Sequence, residues 1–180
     1  MNVRSSHGVL YSITFIDGFT RFNYVYLISH KYEALGCFRN FLNLVYNQKD
    51  VRLKTFRIDW GLEYFSDQFR KICDGKRIER QLTILGTPQQ NGVAERRNKI
   101  LLEMVRSIIV QANFQISYWG DVLWTTTYIL NRVPSKSITS APYELWNGHK
   151  PNLSNLKPWG CATYVHDVRN YNQRVKRVFL

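Results

Sequence analysis

The strongest constraint on this chain is a change of hydrophobic period near residue 30. Two runs come first, Tyr11-Ser-Ile-Thr-Phe-Ile16 and Phe22-Asn-Tyr-Val-Tyr-Leu-Ile28. Both are rich in aromatic and β-branched residues, and the first alternates, as strands do. Asp17-Gly18 between them is a turn signal, so they predict an antiparallel hairpin. From Lys31 to Tyr46 the period becomes helical. Ala34, Phe38, Phe41 and Val45 share one face, and Glu33, Arg39 and Asn43 lie elsewhere. A hairpin feeding an amphipathic helix argues for layers of helix on sheet.

The alternation continues downstream. Leu53–Ile58 reads as a third strand and Arg77–Thr83 as a weaker fourth. Between them, residues 62–73 predict a short helix burying Tyr64, Phe69 and Ile72, broken at Asp74-Gly75. Residues 84–92 hold Gly86, Pro88 and Gly92 and read as a loop. Val93–Gln111 is the clearest helix, with an apolar stripe of Leu101, Met104, Val105 and Ile108. Glu95, Lys99, Glu103 and Arg106 occupy another face. Ser117 is a candidate N-cap for a further helix that buries Trp119, Val122, Leu123, Thr126 and Leu130 and stops before Pro134. Residues 135–158 read as an extended arm, and Cys161–His166 and Val175–Leu180 as two last strands. The fold class is α/β with a mixed sheet flanked by helices.

Composition narrows the partner. At 180 residues, with 44% hydrophobic content, the chain fits one globular domain with an appendage. Lys and Arg number 25 against 13 Asp and Glu, a net charge of +12. That surplus implies a polyanion, nucleic acid first; the bland alternative is a basic protein with no special partner. No basic amphipathic helix stands apart, and no apolar run is long enough to span a bilayer. Cys37, Cys73 and Cys161 have no zinc spacing and fit free thiols in a reducing compartment, nucleus or cytoplasm.

Asp59 and Glu95 are the candidate chemistry. Asp59 follows the third strand and Glu95 falls in the first turn of the clearest helix, with residues 60–94, 35 positions, between them. Phosphodiester chemistry needs an activated oxygen nucleophile and a stabilised leaving oxygen, which two divalent ions about 3.5–4 Å apart supply. Hard oxygen ligands suit Mg²⁺. Arg96, Arg97 and Lys99 surround Glu95 as candidate phosphate contacts. Gln89, Gln90 and Asn91 are candidates for sugars or base edges. Structural roles fit the pair as well: Glu95 favours the helix dipole and can pair with Lys99, while Asp59 can open a turn with Gly61.

The words around these acids are more specific than the acids. Thr87-Pro-Gln-Gln-Asn-Gly-Val-Ala-Glu-Arg-Arg-Asn98 resembles the signature of the integrases of copia-type retrotransposons. Ile129-Leu-Asn-Arg-Val-Pro134, Pro142-Tyr-Glu-Leu-Trp146 and Trp159-Gly-Cys161 continue the resemblance in the family's order, and Thr14-Phe-Ile-Asp-Gly-Phe-Thr-Arg21 resembles its second-strand motif. The resemblance implies a ribonuclease H-like fold and a triad of two aspartates and a glutamate with two Mg²⁺ or Mn²⁺ ions. It implies processing of retroelement DNA ends and joining of those ends to target DNA; a sheet without its first strand leaves neighbouring strands with unpaired edges, which makes a second copy of the chain a candidate partner. Asp59 and Glu95 match the second and third acids. Residues 1–134 correspond to the catalytic core, and 135–180 to a linker and the start of a DNA-binding region.

The departures carry expectations too. The family's first aspartate lies on a first strand upstream of where this chain starts, so the chain is expected to be inactive in isolation. Asp17 reads as a turn residue, not a substitute. The alternative is a non-catalytic nucleic-acid-binding remnant of a retroelement.

Overall fold

A computed structural model describes residues 3–58, 66–83, 92–134, 139–154 and 156–157, and the backbone of 162–166 and 174–178. Strands β1 (Tyr11–Ile16) and β2 (Asn23–Ile28) form the expected antiparallel hairpin, with Tyr11 opposite Ile28 and Ile16 opposite Asn23. The connection spans six residues, and its left-handed residue is Arg21 (φ 62°). The Asp17 carboxylate accepts hydrogen bonds from the Phe19 and Thr20 amides at 3.2 and 2.7 Å and from the Thr20 hydroxyl at 2.7 Å. That carboxylate is therefore committed to the turn.

Helix α1 (Ala34–Lys49) follows a short 3-10 turn, in which Glu33 accepts from the His30 amide at 2.8 Å. Its buried face is Ala34, Phe38, Phe41, Leu42 and Val45, the predicted stripe with Leu42 added. Strands β3 (Thr55–Ile58) and β4 (Glu79–Leu82) pair in parallel. A parallel pair requires a crossover, here carrying α2 (Asp67–Gly75). Ser66 caps that helix by accepting from the Phe69 amide at 3.3 Å. The described helix thus starts later than expected and runs through Asp74-Gly75, which form its last turn instead of breaking it. Phe69 and Cys73, four apart, face inward; Tyr64 lies outside the described residues.

Helix α3 (Gly92–Gln111) packs on α4 (Trp119–Arg132). Ser117 does not cap α4. It sits inside a 3-10 turn, Ile116–Tyr118, that runs straight into the helix, and no side chain caps the junction. The helix ends at Arg132, two residues before Pro134, as the proline's restriction on its predecessor requires.

The expected arm is corrected in part. Pro142–Asn147 form helix α5, with Pro142 at its first turn, where the missing amide costs nothing. Trp146 stacks on Phe22, with centroids 5.6 Å apart, and donates to the Tyr24 hydroxyl at 3.1 Å. Aromatic partners more than 100 residues away hold this segment on the body. Strands β5 (Ala162–His166) and β6 (Arg174–Val178) pair antiparallel.

The hairpin is covered on both faces. Ile13, Phe15, Tyr24 and Tyr26 join a core with α1 and α2, while Val25 and Leu27 join a second core between α3 and α4. Strand alternation sends the two sets to opposite faces. Phe15 of β1 and Phe56 of β3, with centroids 6.1 Å apart, bring hairpin and parallel pair to the first core. Among the described residues no ladder joins the two pairs. The architecture is mixed α/β, as the period change predicts.

Candidate metal and nucleic-acid site

Glu95 lies in the first turn of α3 and is exposed. Among the described residues it makes no ion pair, so the alternative pairing with Lys99 is not formed. Lys99 and Arg96 are also exposed, and Arg96 folds back to donate from Nε to the Gly92 carbonyl at 2.9 Å. Asp59, Gln89, Gln90 and Asn91 lie outside the described residues. Ile58, the neighbour of Asp59, is buried at the end of β3.

Arg97 departs from expectation. Sequence reading places it among phosphate contacts, yet it is only 8% exposed and points inward. Its Nη2 donates to the Leu130 carbonyl at 2.8 Å and approaches the side-chain oxygens of Asn23 and Asn131 at 3.4 and 3.5 Å. Leu130 belongs to the last turn of α4, whose carbonyls lack helical partners. A guanidinium there satisfies one of them and meets the negative end of the helix dipole. Burial pushes the Arg97 pKa down from its ordinary value.

Asn131 completes the cluster. Its side-chain amide accepts from the Asn23 amide at 3.0 Å and donates to the Asn23 carbonyl at 2.8 Å. It thereby satisfies both backbone groups at the start of β2, as a neighbouring strand would. Asn23 Nδ2 and Arg97 Nε find no partner among the described residues. Asn98, one position on from Arg97, accepts from the Thr14 hydroxyl of β1 at 2.9 Å. The first turns of α3 are therefore tied to the hairpin and to α4, which fixes the turn that carries Glu95.

Sequence reasoning missed Thr14, Asn23 and Asn131. The available signals were an asparagine inside an aromatic strand run and another on the buried face of α4. Among the described residues no three His, Cys, Asp or Glu side chains converge as metal ligands. Glu95 supplies one hard, exposed oxygen donor, which suits a divalent ion without completing a site.

No family model matches the chain. It is 36% identical over 167 residues, 92% of its length, to the Retrovirus-related Pol polyprotein from transposon TNT 1-94 of Nicotiana tabacum. It is 29% identical over 95% of its length to that from transposon RE1 of Arabidopsis thaliana. The chain spans 13% and 12% of those relatives' lengths. Among solved structures, it resembles a simian T-cell lymphotropic virus intasome chain at TM-score 0.63 and 18% identity, covering 92% of this chain and 60% of that one. It resembles the HTLV-2 integrase catalytic core domain in complex with magnesium at TM-score 0.55 and 14% identity, covering 73% of this chain and 80% of that one.

Proposed function

We propose that this chain, which belongs with the Pol polyproteins of copia-type retrotransposons and has the fold of a retroviral integrase core, acts in DNA integration. The observation that carries the reading is the placement of Glu95. It is an exposed acid, outside any ion pair among the described residues, on a helix turn held by Arg97 and Asn98. Asp59, next after the buried end of β3, is the second acid. Together they would hold Mg²⁺ or Mn²⁺, which supplies an activated oxygen nucleophile and a stabilised leaving oxygen when bound. The magnesium complex of the HTLV-2 core supports a divalent ion.

The chain's own residues bind and orient. Arg96 and Lys99 flank Glu95 and contact phosphates; Gln89, Gln90 and Asn91 contact sugars or bases. Arg97 is a positioning residue in this reading, acting through the helix turn and not on DNA. Residues 135–180 form the linker and the start of a DNA-binding region, and a second copy of the chain joins the assembly. Asp17 is occupied by its turn, so the 180-residue chain alone has two acids of the triad and is inactive in end processing and joining.

The test is joining of a labelled retroelement-end duplex to target DNA by the purified chain in Mg²⁺ or Mn²⁺. No product is expected. Product that disappears in Glu95→Gln would overturn inactivity and establish the enzyme. The alternative, a non-catalytic nucleic-acid-binding remnant, rests on the +12 charge. It is favoured if DNA binds with steep salt dependence and the metal has no effect on it.

A further inference from the structure

We propose a second nucleic-acid contact, a basic groove at the end of the β3–β4 pair opposite the one Asp59 follows. Two adjoining cavities of about 510 and 300 Å³ share Gly75 and Lys76. They lie where α1 meets the segments entering β3 and β4, and Leu53 and Ile78 are in their walls. Each strand has four residues, so this end is about 13 Å from the Asp59 end.

Among the described residues the groove is lined by five cations, Arg39, Arg52, Lys71, Lys76 and Arg77, and by no acid. All five are exposed, and among the described residues none is in an ion pair. Two acids close in sequence do not line it: Asp74 pairs with Arg70 at 3.7 Å, and Asp50 follows α1 in the left-handed region at φ 50°. Arg52, Lys76 and Arg77 have a local reason to be there, since they follow the C-terminal ends of α1 and α2. Arg39 has none, and Lys71, four residues after Asp67 on α2, forms no ion pair with it among the described residues. Both line the smaller cavity together with Lys76. Like charges gathered this way repel unless an anion sits between them. Arg77 also holds φ 56°, where glycine or asparagine is the cheaper choice.

The remaining walls select the anion. Leu42 and Val45 form an apolar floor, and Tyr46, 47% exposed, stands at the rim with the Arg52 guanidinium 5.8 Å from its ring centroid. Cations over an apolar floor beside an aromatic face fit a single-stranded nucleic acid, its phosphates on the cations and a base on the tyrosine. Arg39 and Tyr46 are about 10 Å apart along the helix, so a cation and the aromatic face can meet different nucleotides of one strand. The site does not depend on Glu95 or on metal.

Fluorescence anisotropy with a labelled 15-nucleotide single-stranded DNA, its duplex and the matching RNA, over a KCl series, tests this. Arg39→Gln/Lys71→Gln/Lys76→Gln should weaken single-strand binding at least ten-fold. It should also reduce the log–log salt slope by about 2, near 0.7 per lost contact. Tyr46→Ala should weaken it five-fold or more with the slope unchanged. Equal binding of RNA and DNA supports a backbone-reading groove. Binding of duplex alone overturns the single-strand assignment. Unchanged affinity and slope in the triple variant, with Arg96→Gln/Lys99→Gln removing all binding, overturns the groove. In the unaltered chain, DNA should slow acylation of Lys71 and Lys76 several-fold; protection of Lys99 alone would also overturn it. A metal-free chain binds here equally, so failure at Glu95 and failure at the groove read out separately.

Discussion

The two cores are built on different physics. The core between the hairpin, α1 and α2 is aromatic: Phe38 is wholly buried, with ring centroids 4.6 Å from Phe56 and from Phe69 and 5.9 Å from Phe15. The core between α3 and α4 is mainly aliphatic, around Leu101, Val105, Val122 and Leu123, and ends in the polar cluster of Arg97, Asn23 and Asn131. Apolar area holds the first half wherever rings meet. The second half depends on a few directional bonds, and those bonds hold the helix turn that carries Glu95. Stability and the placement of that candidate acid thus rest on different parts of the molecule.

The largest break of this comparison is Phe38→Ala. It removes the ring that three others share and should cost about 3–5 kcal/mol, read by urea denaturation. Glu95's turn should lose order only as the whole chain unfolds. Arg97→Ala comes next, at about 2–4 kcal/mol, because it strands the Leu130 carbonyl and leaves two asparagine oxygens short of a donor. Asn131→Ala should cost about 1–3 kcal/mol by freeing both backbone groups of Asn23. Unlike Phe38→Ala, these two should raise hydrogen exchange at the first turns of α3 more than in α1. Equal rises in both helices would contradict the division.

How much of this was legible in sequence follows the same line. The aromatic half was, because Ala34, Phe38, Phe41 and Val45 repeat at helical spacing within one segment, and the hairpin's alternation is local. Arg97 was misread because its partners are 33 and 74 positions away, and composition makes any arginine beside a candidate acid look solvent-facing. Helix α5 was missed because six residues give little periodicity; its anchor is Trp146 on Phe22 and Tyr24. Ser117 has the right chemistry for a cap, but the 3-10 turn running into α4 takes the capping position to Tyr118. Glu95 was legible as an exposed helix-turn acid. Asp59 and the Gln89–Asn91 contacts were read from sequence, and their positions lie outside the described residues.

Smaller effects sharpen the contrast. Burial pushes the Cys37 and Cys73 thiols and the Tyr24 and Tyr26 hydroxyls up, all in the aromatic half. An acid whose folded pKa is raised keeps its stabilising effect below the unfolded pKa and loses it as pH rises toward the folded one. The melting temperature should therefore fall as pH rises past about 9, the ordinary thiol range. Cys37→Ser/Cys73→Ser should flatten the first part of that fall; an unchanged slope would contradict it. Smallest are two glycines. A Cβ at Gly120 would stand 2.9 Å from Leu27 Cδ1, so Gly120→Ala should destabilise by about 1 kcal/mol. At Gly92 it would meet, among the described residues, only Arg96 at 3.8 Å, so Gly92→Ala should be neutral or stabilise by up to about 1 kcal/mol in a thermal melt.

The central claim is that Asp59 and Glu95 form one divalent-metal site. Paramagnetic broadening of backbone amide resonances during a Mn²⁺ titration tests it most directly. The account predicts broadening centred on residues 58–60 and 94–96 together, lost from both segments in Glu95→Gln. Broadening of one segment alone, or centred on Asp17, would contradict it.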